Sequence, residues 1–224
     1  MATAAKTRTK TADFSPRSFS RPERIANVLR DRILNGHYKP GERLREIELR
    51  SEFGFSNGPT REALQLLAAD GLVDRLPWQG VKVVELSKQE IVELFQVRLA
   101  LLEYAVELAA TRRNQDVLKE APTIKRELKA SFARARKGAK HNLGGRLMDW
   151  IFRAGGNKQL EHLWTRAMLR CRIYVYQSLR NSTGTHEFTY ALIDAVVAGD
   201  VKRARQSARD LTRQTLFDLL GENL

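Results

Sequence analysis

Hydrogen-bonding side chains that suit DNA are concentrated in one short stretch of the sequence, residues 49–64. Arg61 carries a guanidinium that can donate two hydrogen bonds to the O6 and N7 atoms of a guanine. Thr60 beside it could also reach a base, Asn57 could bind a base or a phosphate, and Ser56 could bind a phosphate. Such contacts require these residues to lie at the exposed start of one helix.

The elements around these residues fit that requirement. A short helix up to Phe53 is followed by a turn at Gly54 and by a second helix that begins within Ser56-Asn57-Gly58-Pro59. Ser and Asn accept hydrogen bonds from the free amides of a helix start, so that Ser56 could be a simple cap, a phosphate ligand or both. Two short helices joined in this way predict a helix-turn-helix, whose second helix can lie in the DNA major groove.

The composition favours a polyanionic partner. The 224 residues include 39 Lys and Arg against 26 Asp and Glu, which gives a formal net charge of +13. A basic surface attracts nucleic acid because each neutralised phosphate releases a condensed counterion. The hydrophobic fraction of 42% is sufficient for a buried core, and the length suits one large domain or two modest ones.

The remaining composition predicts a cytoplasmic protein with no membrane partner. The single cysteine, Cys171, excludes an intrachain disulfide and is typical of a reducing compartment. We expect its thiol to be buried and inert. No apolar run approaches the ~20 residues that span a bilayer, and the N-terminus lacks the apolar segment of a secretory signal. Residues 1–20 are predicted to form a flexible basic arm, which is either a disordered terminus or a segment that contacts DNA.

Residues 21–86 are predicted to form a winged helix-turn-helix. Apolar spacing and capping signals predict helices at 22–35, 46–53 and 58–70. Gly71 is placed to end the third of these helices. Two β-favouring runs, 72–73 and 81–84, are joined by the turn Pro77-Trp78-Gln79-Gly80 as in a small hairpin.

Residues 87–220 are predicted to form an all-α bundle, so that the fold class is mainly α. Ser87-Lys88-Gln89-Glu90 is typical of a capping box and opens a long helix to about Arg113. Pro122 is expected to start or kink the helix that follows. No strand pattern appears after residue 86. The further helices are expected at 116–138, 143–154, 158–181, 185–198 and 201–220.

Several motifs resemble the GntR family of transcriptional regulators. Residues 35–46 resemble its "G-x-x-x-P-G-x-x-L-x-E" motif, and residues 53–71 resemble its "L-G-V-S-R-T-P-V-R-E-A-L" core and the "L-x-x-x-G-L" continuation. Residues 93–103 are similar to the opening of the FCD effector domain of the FadR subfamily, and Gly156-Asn157 and residues 198–200 are similar to its later motifs. The resemblance covers about residues 21–215 and implies a winged helix-turn-helix followed by an FCD-like bundle.

Two departures from the family pattern concern DNA. The usual Ser-Arg-Thr-Pro is Ser56-Asn57-Gly58-Pro59 in this chain, and Gln79 replaces the frequent Arg before the glycine of the wing. These departures imply an operator different from the family's commonest one, with weaker contact at the wing. The residues predicted to bind DNA are Arg43, Arg45, Ser56, Asn57, Thr60, Arg61, Gln79 and Gly80.

A third departure concerns metal. Many FCD domains bind a divalent cation through an Asp-x3-His pair and two further histidines. The matching positions of this chain are Gly144, Met148, Thr189 and Leu211, which provide neither the imidazole nor the carboxylate ligands that such a cation prefers. His186 is close to Thr189 in sequence but is expected to be a surface histidine. We therefore predict no metal and no cofactor.

The family's effectors are often small carboxylates bound inside the bundle. Without a cation, arginine is the natural partner because its planar fork matches a carboxylate. Arg98 matches the family's Arg on the first bundle helix, although it could instead pair with an acid of the bundle. Trp150 and Trp164 are either further apolar lining or ordinary core. The predicted effector-binding residues are Arg98, Met148, Arg170, Tyr174 and Thr189.

The resemblance implies a sequence-specific transcriptional regulator, a repressor more often than an activator. It would bind a short pseudo-palindromic operator in double-stranded DNA as a homodimer and respond to a small organic acid or a related metabolite. An enzyme is not indicated, because no G-x-S-x-G, P-loop, H-E-x-x-H or Rossmann motif is present. The alternative interpretation is an effector-independent or non-specific basic DNA-binding protein.

Overall fold

Helices account for most of the chain, together with one small sheet. The computed structural model describes residues 19–76, 78, 80–135, 143–181 and 185–221. Its helices are α1 (Arg21–Leu34), α2 (Glu46–Phe53), α3 (Asn57–Ala69), α4 (Lys88–Arg112), α5 (Gln115–Leu118), α6 (Ala121–Ala135), α7 (Leu143–Gly155), α8 (Lys158–Asn181), α9 (Thr185–Ala198) and α10 (Val201–Leu220). The strands are β1 (Arg43–Leu44), β2 (Val73–Leu76) and β3 (Gly80–Val83).

Helices α1, α2 and α3 form the predicted helix-turn-helix. Ser20 and Glu23 start α1 with a reciprocal capping box, in which each side chain accepts a hydrogen bond from the backbone amide of the other. Gly54 ends α2 at a φ of 65°, a left-handed conformation that turns the chain sharply towards α3. The core between α1 and α3 consists of fully buried side chains, which include Ile25, Leu29, Ile33, Leu64 and Leu67. The predicted arm, residues 1–20, falls outside the described residues except for Phe19 and Ser20.

The sheet has the order β1-β3-β2 with antiparallel pairing throughout. Strands β2 and β3 form the predicted hairpin, here called the wing, in which Val73 pairs with Val83 and Leu76 with Gly80. The first strand of the hairpin, β2, is longer than the β-favouring run predicted at 72–73. Strand β1 was not predicted, because its two residues form a strand only by pairing with β3, which is distant in sequence. The winged helix-turn-helix is confirmed.

The long helix α4 is the centre of the C-terminal bundle and packs against α7, α8, α9 and α10. Its N-terminal capping box, formed by Ser87 and Glu90, is present as predicted. The prediction of one helix over 116–138 is wrong, because α5 and α6 are separate. Pro122 has no amide hydrogen to donate to the carbonyl of Leu118, so the first helix stops and α6 starts around the proline.

The part of the chain that the structure describes has no strand after β3, so its C-terminal part is all helical. Within the same residues, no helix combines the length and the apolar character needed to cross a bilayer.

Candidate DNA-binding surface and effector site

The start of α3 presents polar side chains to solvent on the outside of the helix-turn-helix. Ser56, Asn57, Gly58 and Arg61 are all exposed there. The opposite side of the helix packs against α1 through Ala63, Leu64 and Leu67. The N-terminal turn of α3 can therefore enter a groove without disturbing the core, which is how recognition helices contact base edges.

Arg61 is supported from one side by Glu46 of α2. Its Nε donates to Glu46 Oε2 at 3.1 Å, and the arginine side chain is 62% exposed. The bond uses the inner nitrogen and leaves the two terminal nitrogens of the guanidinium available. These are the nitrogens that donate together to guanine O6 and N7. Sequence reasoning missed Glu46, although this residue is the glutamate of the "L-x-E" motif.

Ser56 occupies the N-cap position of α3, but its side chain makes no capping hydrogen bond. The capping alternative for this hydroxyl is therefore not observed. The hydroxyl is exposed beside the free amides of the first turn, a place where anions bind favourably. A phosphate contact by Ser56 remains the prediction that this arrangement supports.

The position of Thr60 contradicts the prediction that it contacts a base. Its side chain is completely buried, and its hydroxyl donates to the carbonyl oxygen of Ser56 at 3.3 Å. A hydroxyl that faces the core and has a backbone partner cannot reach a base edge. Thr60 precedes Leu64 by one turn and Leu67 by two, so its position on the buried face was already visible in the sequence.

The other predicted DNA-binding residues surround α3. Arg43 is exposed on β1, and Arg45 is exposed directly before α2, where it forms an ion pair of 3.0 Å with Glu48. That pair is exposed on both sides and can be exchanged for a phosphate at little cost. Gly80 is exposed at the start of β3 with a φ of 84°, while Gln79 lies outside the described residues.

Arg98 is a buried cation of α4 inside the bundle. It is only 8% exposed, and its Nη1 donates to Thr212 Oγ1 of α10 at 3.0 Å. Its guanidinium carbon lies 5.6 Å from the ring centre of Phe95 and 5.8 Å from that of Trp164. Among the residues with a described structure, no carboxylate pairs with it. The expected alternative, an ion pair with an acid of the bundle, is therefore not observed there.

The surroundings of Arg98 are electrostatically unusual. Burial lowers the pKa of Arg98, and the same burial raises the pKa of the neighbouring Cys171 thiol to about 11. Cys171 is buried, as predicted, and its raised pKa makes it a poor nucleophile at neutral pH. Two aromatic faces and one hydroxyl compensate the guanidinium only in part, because a buried cation is normally paired with an anion. The site therefore favours an anionic guest.

Two of the other predicted effector residues, Met148 of α7 and Thr189 of α9, are buried within the bundle. The predicted lining residue Trp164 faces the guanidinium of Arg98. Trp150 has a structural role, because its indole nitrogen donates to the carbonyl oxygen of Val117 at 2.9 Å. Sequence reasoning also missed Thr212, and no local motif marks it.

Arg170 and Tyr174, the other two predicted effector ligands, have their described contacts with the N-terminal part of the chain. The side chain of Arg170 packs against Gly71, at the end of α3. The hydroxyl of Tyr174 accepts a hydrogen bond of 2.7 Å from the backbone amide of Leu86, just before α4. Both residues therefore belong to the contact between α8 and the N-terminal part of the chain.

The four positions that hold metal in other FCD domains have no ligand set in this chain. Across the described residues, no group of three His, Cys, Asp or Glu side chains could hold a metal ion. His186 is half-buried next to the rings of Phe132 and Tyr190, at centroid distances of 5.8 and 6.3 Å. It packs in an aromatic cluster rather than lying free on the surface as expected.

Tyr174→Phe is expected to lower the free energy of unfolding by about 1–2 kcal/mol, because the buried amide of Leu86 loses its acceptor. Chemical denaturation of the variant and the parent protein measures the difference. Tyr190→Phe is the matched control, because the described structure shows no hydrogen bond from its hydroxyl. Equal stability of Tyr174→Phe and the parent protein would mean that the hydrogen bond to Leu86 does not contribute to the free energy of unfolding.

Comparisons with known proteins agree with this architecture. Residues 22–83 match the model for bacterial regulatory proteins of the gntR family, and residues 93–214 match the model for the FCD domain. The second match alone covers more than half of the chain.

The sequence relatives are bacterial regulators. A gluconate operon transcriptional repressor of Bacillus licheniformis is 33% identical over 109 residues, which are 49% of this chain and 44% of the relative. An uncharacterised HTH-type regulator, YdhC of Bacillus subtilis (strain 168), is 37% identical over 41% of each chain. The chain thus spans less than half the length of these two curated relatives.

One solved structure has the same fold over nearly the whole chain. A transcriptional regulator GntR from Rhodococcus sp. RHA1 superposes with a TM-score of 0.74, and the match covers 92% of this chain and 100% of the other. At 23% sequence identity this likeness concerns the fold alone.

Proposed function

The chain belongs to the gntR family of bacterial regulatory proteins and carries an FCD domain, and on this premise we propose that it is a sequence-specific transcriptional repressor. The family consists of transcriptional regulators and not of enzymes. Its operator binding would be controlled by a small organic acid. The observation that carries the DNA-binding part is the exposed start of α3, where Glu46 supports Arg61 and leaves its terminal nitrogens available.

The two parts of the chain would have different roles. Residues 21–86 would bind DNA in the bacterial cytoplasm, with Arg61 and Asn57 at bases and Ser56, Arg43 and Arg45 at phosphates. Residues 87–220 would bind the effector and the second subunit. Gly80 and Gln79 of the wing would add contacts beside the recognition helix.

A homodimer is part of the proposal, because one recognition helix contacts few base pairs. Two copies related by a two-fold axis bind two half-sites about one helical turn apart, which makes the operator pseudo-palindromic. Helix α4 supports this arrangement with an exposed apolar stripe, in which Val97 and Tyr104 are separated by two turns. Large apolar side chains exposed on one face of a helix are typical of a protein interface.

The effector proposal depends on Arg98. A carboxylate bound to Arg98 would be the anionic partner that this arginine lacks among the described residues. The planar shape of a carboxylate also matches the guanidinium fork. Helix α8 connects this site to the DNA-binding part, since Trp164 faces Arg98 while Arg170 and Tyr174 contact Gly71 and Leu86. An effector that binds one arrangement of α8 more tightly than another would shift the spacing of the two recognition helices.

The test has two stages with the purified full-length protein. Selection from a pool of random DNA duplexes should enrich one short pseudo-palindrome, and a footprint should cover that sequence only. A thermal-shift screen of organic acids should then find compounds that stabilise the protein and weaken operator binding. Protection of long tracts without an enriched sequence would instead identify a non-specific DNA-binding protein, and operator binding that no acid alters would remove the effector part.

A further inference from the structure

Trp78 at the tip of the wing is the most unusual side chain of the described surface. It lies between β2 and β3, and its relative exposure of 104% means that the indole contacts essentially nothing else in the protein. Its backbone has a φ of 63°, in the left-handed region that a bulky side chain rarely adopts. Trp78 was included in the predicted turn, but sequence reasoning gave it no function.

Folding alone does not account for a tryptophan in this place. Burying an aromatic side chain is strongly favourable, whereas the indole of Trp78 remains wholly in water. Arg113, the other non-glycine residue with positive φ in the described ranges, ends α4, and its guanidinium donates to the Val197 carbonyl oxygen at 3.1 Å. Trp78 lies in a hairpin turn, where positive φ is common but is normally supplied by Gly, Asn or Asp and not by a bulky side chain. Unfavourable backbone conformations of this kind cluster at functional sites.

The small sheet that carries Trp78 is basic. Arg75 on β2 is exposed, and Arg43 on β1 lies directly opposite Lys82 on β3 in the sheet. Asp74, the β2 partner of Lys82, is the one acid among the described residues of the three strands. An apolar ring at the end of a positively charged hairpin fits a partner that offers phosphates at its edges and apolar base or sugar surfaces between them. Duplex DNA has that chemistry.

We propose that Trp78 is a further specificity-determining residue, which inserts its indole into the minor groove beside the major-groove segment occupied by α3. Arg43, Arg75 and Lys82 bind the flanking phosphates and guide the tip. An apolar wedge partly unstacks one base step and bends the duplex. Flexible pyrimidine–purine steps such as TA and CA are deformed most easily, so the wing selects such a step without reading the base edges. The inference rests on the proposed function, since it assumes that α3 binds DNA.

The first test follows the fluorescence of Trp78. Trp150 and Trp164 are buried, so acrylamide quenches mainly Trp78 in the free protein, and Trp78→Phe gives the remaining signal. On addition of a duplex at low salt, acrylamide quenching of the parent protein's fluorescence should fall to the level measured for Trp78→Phe. Any duplex serves here, so the result does not depend on finding an operator.

The second test measures affinity for the selected operator. Trp78→Ala should weaken binding at least about fivefold, the lower end of the loss for an aromatic–base contact, while Trp78→Tyr should restore part of it. Replacing the flanking TA or CA step by a stiff step should weaken the parent protein but leave Trp78→Ala unchanged. Phe217→Ala removes an exposed aromatic from α10 and should have no effect.

Several outcomes overturn the proposal. Unchanged quenching of Trp78 in the DNA complex, or Trp78→Ala within about twofold of the parent protein, would show that the indole stays in water. Protection that appears with anionic lipid vesicles or with rising protein concentration, but not with DNA, would assign Trp78 to a membrane or to a second copy. If Arg61→Ala binds the operator normally, the proposed function fails at α3, whereas loss with Arg61→Ala but not Trp78→Ala defeats only the wing proposal.

Discussion

Arg61→Ala is expected to lower affinity by about fivefold to a hundredfold for each half-site of the selected operator, because a bidentate arginine–guanine contact contributes about 1–3 kcal/mol. The effect should appear mainly at one base pair of each half-site, where the variant should accept bases other than guanine. Competition binding with operators substituted one base pair at a time measures both the loss and its position.

The geometry of Arg61 sharpens this expectation. Its Nε is bound to Glu46, so the guanidinium is oriented before DNA arrives and loses little freedom on binding. Arg61→Lys should restore charge without restoring specificity, because an ammonium group cannot form the two parallel bonds. Glu46→Gln should give a smaller loss than Arg61→Ala, since the arginine remains but its support is weaker.

The control for Arg61 is Arg213→Ala, which removes an exposed arginine from α10 and changes the net charge equally. It should bind the operator like the parent protein. If Arg61→Ala also stays within about twofold of the parent protein, Arg61 does not contact a base and the assignment of α3 as the recognition helix is wrong.

The helix-turn-helix could be predicted closely because its signals are local. Gly54 must adopt a positive φ, and apolar residues at helical spacing mark the buried faces of α1 and α3. The same periodicity would have placed Thr60 on the buried face, and the prediction of a base contact failed because only its hydroxyl was considered. Residue chemistry selects candidates for a site, but helix phase decides which of them face outwards.

The effector site was less predictable because its geometry depends on distant helices. Arg98 was found through a resemblance, but its partner Thr212 comes from α10, and no pattern in the sequence connects the two. Arg170 and Tyr174 lie on α8 close to Cys171 in sequence, yet they contact Gly71 and Leu86. Periodicity shows that a helix has several buried faces, but it does not show which neighbour covers each face.

The buried charge of Arg98 gives the second large expectation, Arg98→Met. Without effector, the variant should be more stable than the parent protein by about 1–3 kcal/mol, because a desolvated cation without a paired anion is replaced by an apolar chain of similar size. For a chain of this length, that change corresponds to a Tm higher by roughly 2–4 °C per kcal/mol. Differential scanning calorimetry of the effector-free protein measures it.

The response to effector should change in the opposite direction. An organic acid that raises the Tm of the parent protein should have almost no effect on Arg98→Met, because the charge-assisted pair with its carboxylate is lost. The variant should still bind the operator, and the acid should no longer release it. Arg213→Met, which replaces an exposed arginine on α10, should keep both the stability and the response of the parent protein.

The two readouts separate function from structure. A residue kept only for packing would make Arg98→Met less stable, and the response to the acid would persist in proportion to the folded protein. If Arg98 serves to bind an anionic effector, its replacement should make the effector-free protein more stable. The reason is that the buried charge destabilises the free protein until an anionic ligand pairs with it. Lower stability together with an unchanged response to the acid would therefore remove Arg98 from the effector site.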